Sequence, residues 1–406
     1  MFTMKGTLRA PPKDTIPCCM RLKVENTAKA ERLTNQVFVP KMSTMPATAQ
    51  DTNIIGRRLR QAREMRGLSL RSLSEAIEES VSYNALNKYE KGAMLPGSSV
   101  LKELSNALQM PRDYFFRPFA AEMSNIKFRA LSKVGQKTKR SLAKRAADFF
   151  ERYLEVEQVL GIKTKFSNPL SAITIRTEED VEKAALTLRD KWKLGLDAIP
   201  NVHQMLEDQG IKVWEAKDAP QEFNGMSGWM DGVPLVVLAG WLDSNLPRKR
   251  LTAMHELAHL LLDDLLPEDI PKADEERFMN RFANCFLIPK PVFVREFGGK
   301  RKRVSLEELI DIKLEFGISI AAIIRRAFDL NLITESAYTR FQFVRNKWGR
   351  KNNEPGDERY CGSEKSTRFS ALVHRAVAQE VISASKAAAL LQLPISEFKG
   401  AFRLFS

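Results

Sequence analysis

The stretch LTAMHELAHLLLDD, residues 251–264, decides the fold of the second half of the chain. Its apolar residues recur at spacings of three and four, which predicts a helix that is mostly buried. His255 and His259 are four residues apart, so both side chains project from one face of that helix. Imidazoles without polar partners are costly on a buried face. The pair therefore predicts a shared metal ion, and an ordinary amphipathic helix is the alternative.

Glu256 completes a His-Glu-x-x-His sequence and stands at the edge of the same face. In zinc hydrolysis, imidazoles bind the metal, the metal lowers the pKa of water, and a carboxylate takes the proton. Glu256 suits the proton-accepting role, and His255 and His259 suit the ligand roles. Because three fixed letters also arise by chance, a third protein ligand is needed to support the site.

The third ligand is predicted in DEERFMNRFANCFLIP, residues 274–289. This pattern predicts a second helix that Pro289 ends. Its phenylalanines form one stripe, and Glu276 lies on another stripe with small Ala283, which permits close approach to the first helix. We therefore predict Glu276 as the third ligand. The alternatives are Glu275, in second place, and Asp263 or Asp264.

Three strands are predicted ahead of the histidine helix. GIKVWEA, residues 210–216, is typical of a strand, and SGWMDGVPLVVLAGW, residues 227–241, is typical of a hairpin with its turn at Asp231-Gly232. Pro234 indicates that the last strand begins there or lies at an edge. An edge strand can pair with an extended peptide. FNGMSGWM and VPLVVL are both candidates for that edge, and a plain core sheet is the alternative.

Residues 54–119 contain short apolar repeats of helical spacing with tight polar turns, which predicts a helix-turn-helix domain. The first helix has apolar residues on one face and arginines around the other, and Gly67 ends it. Ser69 can cap the next helix. The recognition helix is predicted to begin near Ser82, with Ala85, Leu86 and Tyr89 in the core.

Amide and hydroxyl side chains read base edges in the major groove, and lysines bind phosphates. The side chains predicted to face DNA are Ser82, Tyr83, Asn84, Asn87 and Lys88. A helical module that binds protein and makes no DNA contacts is the alternative.

Composition agrees with a nucleic-acid partner. The 406 residues include 64 Lys or Arg against 50 Asp or Glu, a formal net charge of +14. Such an excess favours a polyanionic partner, most commonly nucleic acid, although a merely basic soluble protein has the same charge. The four cysteines have no framework spacing, which favours a reducing, cytoplasmic compartment. No apolar run reaches about 18 residues, so no membrane span is predicted.

A basic segment connects the two halves. Residues 125–145 hold eight Lys or Arg and no Asp or Glu. Residues 141–160 then predict a long amphipathic helix. Its apolar stripe can pair two chains into a homodimer or pack on the chain's own body. Inward packing is favoured because the stripe lacks a sustained heptad.

Two resemblances follow from these motifs. HELAHLLL together with ERFMNRFANCFLIP resembles the ImmA/IrrE family of bacterial metallopeptidases, over roughly residues 125–400. Met279 stands where an alanine is usual in that family. The resemblance implies that Glu256 is the catalytic glutamate and Glu276 the third zinc ligand. Residues 54–116 resemble the XRE-type, phage-repressor-like helix-turn-helix domain.

The resemblances imply a mainly α fold with a small β-sheet, in which a helix-turn-helix domain precedes an α+β zincin-like metallopeptidase domain and a C-terminal helical region. The expected segments are a disordered extension at 1–50, the helix-turn-helix domain at 51–120, the linker and connecting helix at 121–165, the metallopeptidase domain at 166–300 and the helical region at 301–406.

The implied function is a cytoplasmic DNA-binding transcriptional regulator with a zinc-dependent endopeptidase that cleaves a repressor. Mn²⁺ is the alternative metal, because such a site is not sharply selective. The expected partners are an operator in double-stranded DNA, a repressor protein as substrate and a toxin encoded nearby, with no membrane. The alternative function is a non-enzymatic regulator or antitoxin whose metallopeptidase-like domain senses a signal or binds a partner.

Overall fold

The computed structural model describes residues 49–118, 134–348 and 354–402, and side chains from residue 54 onward. Disorder is predicted for residues 1–50; residues 1–48 and the first part of the basic linker lie outside the described residues, and α1 begins at Ala49. Within the described ranges the chain forms sixteen α-helices and one three-stranded sheet, which confirms the mainly α fold class. No helix in these ranges has the length and apolar character that a membrane crossing requires.

Four helices build the N-terminal domain. They are α1 Ala49–Met65, α2 Leu70–Ala76, α3 Tyr83–Glu90 and α4 Ser98–Leu108. As predicted, α1 ends before Gly67, whose φ is +63°, and the Ser69 hydroxyl caps α2 by accepting a hydrogen bond from the backbone N–H of Ser72. The turn between α2 and α3 is long, and Glu78 and Glu79 in it both have positive φ, at 52° and 55°.

The connecting helix α5 spans Gln136–Val159, so it begins earlier than the predicted residue 141. Its side chains pack within the chain, in agreement with inward packing. Leu142 and Phe150 join a core with the sheet, while Tyr153 and Val156 join a core with the last three helices. α5 therefore packs on both the sheet and the last three helices.

A buried ion network fixes the N-terminal domain to α5. The Arg58 side chain in α1 is 0% exposed, and its Nη1 lies 2.7 Å from Glu151 Oε2 of α5. Arg117 Nη2 lies 2.5 Å from Asp148 Oδ1 and 3.1 Å from the same Glu151 oxygen. The prediction that the arginines of α1 all lie on an outer face is therefore wrong for Arg58, because carboxylates 93 residues away compensate its burial.

The remaining helices before the sheet are α6 Glu178–Lys191 and α7 Val202–Asp208. The sheet has the order β1-β3-β2, with β1 Lys212–Ala216 parallel to β3 Val233–Ala239, and β2 Gly225–Met230 antiparallel to it. β3 is the central strand, so the prediction of VPLVVL as a sheet edge is wrong. FNGMSGWM contains β2, which is an edge strand among the described residues.

The sheet lies between two helices because the side chains of β3 alternate between its faces. Val236 and Leu238 pack toward α8, Leu246–Leu262, while Leu235 and Val237 pack toward α5. Helix α9, Lys272–Leu287, packs on α8 and ends before Pro289 as predicted. The helices that complete the chain are α10 Lys290–Phe297, α11 Leu306–Phe316, α12 Ile320–Asp329, α13 Glu335–Lys347, α14 Arg368–Ala378, α15 Ala384–Leu391 and α16 Ile395–Ala401.

The ion network makes a prediction about stability. Glu151→Ala should lower the free energy of unfolding by about 3–5 kcal/mol, because it breaks the buried ion pair between Glu151 and Arg58. Arg60→Ala is the control, since Arg60 pairs with Glu64 on the surface and such pairs contribute about 0–1 kcal/mol. Urea unfolding of both variants measures the difference. Equal losses of unfolding free energy in the two variants would contradict the role of Glu151 as a buried partner of Arg58.

Candidate metal centre

Contacts in the first turns of α8 hold this helix in place, on the N-terminal side of its two histidines. Asn245 caps the helix by accepting a hydrogen bond from the backbone N–H of Arg248, and Pro247 lies in the first turn. Lys249 is fully buried, and its Nζ lies 2.5 Å from Glu215 Oε1 of β1 and 2.6 Å from Asp243 Oδ1. These contacts fix the rotation of α8 about its axis and thereby the face that carries His255 and His259.

Three predicted ligands come together between α8 and α9. The Nε2 atoms of His255 and His259 lie 3.2 Å apart. Glu276 of α9 places Oε2 3.4 Å from His255 Nε2 and Oε1 3.8 Å from His259 Nε2. Ligand atoms about 2.0–2.1 Å from one tetrahedral zinc ion are about 3.3 Å from one another. The donor set and its separations therefore fit a zinc ion.

Two of the alternative ligands face a different nitrogen. Asp263 Oδ1 lies 3.3 Å and Glu275 Oε1 4.0 Å from His259 Nδ1, on the side of the ring away from His255. These three residues form a second group with possible metal-binding geometry, and it shares only His259 with the first. Asp264 is exposed and belongs to neither group among the described residues.

Glu256 is buried next to the two histidines, at 5% exposure. Its Oε2 accepts a 2.8 Å hydrogen bond from the Ser227 hydroxyl of β2. Burial raises the pKa of Glu256, against the attraction of both histidines and the bond from Ser227. The carboxylate is thus held beside the histidine pair by a hydroxyl, in an environment that makes it a stronger proton acceptor.

Gly225 explains how β2 approaches α8 so closely. A Cβ at this position would lie 2.9 Å from Thr252 Cγ2 and 3.1 Å from Glu256 Oε1. Ser227 and Gly225 were not predicted as site residues. Their position in the strand before the histidine helix was the only sequence signal for them. Ser227 and Glu256 are 29 residues apart, so their contact depends on how the strand packs on the helix.

Charge within the group is balanced. Contact with His255 is the main reason that the pKa of Glu276 lies below its ordinary value. Burial opposes a charged His255, but Glu276 and Glu256 outweigh it and raise the pKa of His255. The side chain of Glu276 is 43% exposed and that of His255 is 19% exposed, so the group opens to solvent on the side of α9.

The phenylalanine stripe of α9 packs as predicted. Phe278, Phe282 and Phe286 are 5%, 0% and 0% exposed, and Ala283 is 0% exposed. These residues belong to the same core as Leu257 and Leu261 of α8. The stripe therefore holds the turn that carries Glu276 against the histidine face.

The predicted DNA-facing residues are the N-cap of α3 and four residues along that helix. Ser82 caps the helix by accepting from the backbone N–H of Ala85 at 3.3 Å. Ser82, Tyr83, Asn84 and Lys88 are exposed, with Tyr83 at 46%, while Asn87 is half-buried. Leu86 and Tyr89 are in the domain core as predicted. Four of the five predicted side chains are thus exposed to solvent.

The other two histidines lie away from this centre. His203 is 1% exposed, with Nδ1 3.3 Å from Glu215 Oε1. Contacts with His203 and Lys249 outweigh burial and lower the pKa of Glu215 to about 2. His374 is exposed beside Phe398. Neither histidine belongs to a group of side chains that could hold a metal ion among the described residues.

Comparison with known proteins gives two matched regions. Residues 59–115 match the family model described as helix-turn-helix, and residues 206–328 match the model described as IrrE N-terminal-like domain.

Three curated relatives illustrate the first match. The HTH-type transcriptional regulator y4aM of Sinorhizobium fredii is 34% identical over 87 residues, which is 21% of this chain and 59% of the relative. Its y4wC counterpart in the same organism is 40% identical over 62 residues, or 15% and 42% of the two chains. An HTH-type transcriptional regulator of Sinorhizobium medicae is 36% identical over 62 residues, or 15% and 43%. The chain thus spans about half the length of these relatives.

Among solved structures, the apo form of ComR from S. thermophilus aligns with 86% of this chain and 98% of its own, at 14% identity and a TM-score of 0.15. A TM-score this low carries no argument about fold or function. The family models agree with the positions of α1–α4 and of the histidine centre. The chain therefore combines a helix-turn-helix domain with an IrrE N-terminal-like domain of the metallopeptidase type.

Proposed function

We propose that this protein is a cytoplasmic DNA-binding transcriptional regulator that carries a zinc-dependent endopeptidase of repressor-cleaving type. The observation that supports it most is the convergence of His255, His259 and Glu276 within 3.2–3.8 Å, with buried Glu256 beside them. The family match at residues 206–328 supports the same reading. The exposed polar start of α3, in a matched helix-turn-helix domain, supports operator binding.

His255, His259 and Glu276 would hold the metal. Zinc bound there supplies Lewis acidity, which polarises a carbonyl and lowers the pKa of water. Neutral imidazole nitrogens and a carboxylate oxygen are the donors that zinc prefers, and Mn²⁺ accepts the same donors.

Glu256 has the geometry of a general base. Its Oε2 is held by the hydroxyl of Ser227, beside the two histidines. Burial strengthens its affinity for that proton. Glu256 accepts the proton from the attacking water and then delivers it to the leaving amine.

Substrate would bind as an extended peptide along β2. This strand is hydrogen-bonded only to β3 among the described residues, and it carries Ser227 next to Glu256. Pairing with an edge strand fixes a peptide by its backbone, which suits cleavage of a loop or linker in a folded repressor.

Metal content tests the ligand set. Glu276→Ala should reduce bound zinc well below one ion per chain, because it removes one of three protein ligands. Asp274→Ala is the control, since Asp274 lies on the same turn and pairs with Arg277. Metal analysis after dialysis gives the stoichiometry. Full zinc occupancy in Glu276→Ala would show that Glu276 is not a ligand.

Catalysis is tested by Glu256→Gln, which preserves size and hydrogen bonding. We expect cleavage of a peptide library to fall by about 10²–10⁴-fold at unchanged zinc content, the contribution of a general base. Mass spectrometry of the library measures it. If zinc-loaded wild type and Glu256→Gln cleave nothing and regulate a reporter equally, the non-enzymatic regulator or antitoxin replaces this proposal.

Sequence readout is tested by Asn84→Ala. Loss of a bidentate amide contact should reduce discrimination between bases at one operator position by about 1–3 kcal/mol. Asn106→Ala in α4 is the control, because Asn106 is equally exposed outside the recognition helix. Selection from random DNA, followed by anisotropy titration, measures both. Unchanged preference in Asn84→Ala would remove this residue from the interface.

A further inference from the structure

His259 is engaged at both ring nitrogens. Its Nε2 faces His255 and Glu276 at 3.2 and 3.8 Å, while Nδ1 faces Asp263 Oδ1 at 3.3 Å. Asp263 follows the last residue of α8 and lies one helical turn after His259, so the same helix positions both side chains. The side chain of His259 is 6% exposed and that of Asp263 is 28% exposed, so the contact lies at the edge of the protein interior.

The contact with Asp263 determines which nitrogen of His259 carries a proton. A carboxylate accepts hydrogen bonds, so Nδ1 must donate to it, which leaves the lone pair of Nε2 directed at His255 and Glu276. That is the tautomer that a metal ligand needs. The 3.2 Å approach of the two Nε2 atoms also disfavours N–H groups on both of them.

His255 lacks this arrangement. Its buried Nδ1 has no hydrogen-bond partner among the described residues. The two histidines therefore differ at Nδ1: among the described residues, the Nδ1 of His259 faces a carboxylate and that of His255 does not. Glu275 lies further from His259 Nδ1, at 4.0 Å, beyond hydrogen-bond distance.

We propose that Asp263 is a positioning residue of the metal centre: it holds the His259 ring in place with Nε2 available to the metal. This assigns Asp263 a role behind the histidine rather than as a ligand. The inference rests on the proposed function, because it presupposes a metal ion between His255, His259 and Glu276.

The experiment measures zinc affinity of the full chain by competition with a chromophoric chelator. Asp263→Ala should raise the Kd for zinc about 10–100-fold, the usual effect of removing a carboxylate behind a ligating histidine. Asp263→Asn should have a smaller effect, because its amide oxygen still accepts from Nδ1. Asp264→Ala is the matched control, since the neighbouring carboxylate is exposed and should leave the Kd unchanged.

Two further readouts separate positioning from folding. Thermal unfolding in EDTA should be the same for wild type and all variants, and if Asp263→Ala fails to fold, Asp263→Asn decides the question. Cobalt(II)-loaded Asp263→Ala should show altered visible absorption, because the His259 ring is no longer fixed. Zinc affinity equal to wild type in both Asp263 variants would overturn the inference. So would a result in which Glu275→Gln loses zinc affinity and the Asp263 variants do not. Absence of zinc binding by the wild type would overturn the proposed metal centre itself.

Discussion

The packing of α9 against α8 is the contact on which the metal centre depends. His255 and His259 share one helix, so their separation is fixed by helical geometry. Glu276 is on a different helix, and its carboxylate reaches the histidines only because Ala283 is small and the phenylalanine stripe is fully buried against the α8 core. The apolar core therefore sets the distances on which the chemistry relies.

Buried ion pairs connect the elements that surround this core. Lys249 fixes α8 to the sheet, and Arg58 and Arg117 fix the N-terminal domain to α5, which itself packs on the other face of that sheet. Ion pairs of this kind add little net stability, but they are costly to break because each partner would remain charged and unpaired in the interior. The helix-turn-helix domain is thus connected to the metal centre through α5 and the sheet, by buried contacts that are costly to break.

Local patterns in the sequence were sufficient for most elements. The spacing of apolar residues predicts α8 and α9, and Asp231-Gly232 predicts the hairpin. Ser69 and Ser82 indicate where two helices begin. The order of the strands was not predictable, because β3 joins two neighbours through pairings that no local signal specifies. The burial of Arg58 was mispredicted for a similar reason: its compensating carboxylate lies 93 residues away. Ser227 and the roles of Asp263 and Glu275 also depend on distances between elements, which residue spacing alone leaves open.

Anomalous diffraction from crystals of the zinc-loaded protein, recorded on both sides of the zinc absorption edge, would locate the metal ion. We expect one strong peak that lies about 2 Å from the Nε2 atoms of His255 and His259 and from a carboxylate oxygen of Glu276. A peak between His259 Nδ1, Asp263 and Glu275, or no peak near α8, would contradict this expectation.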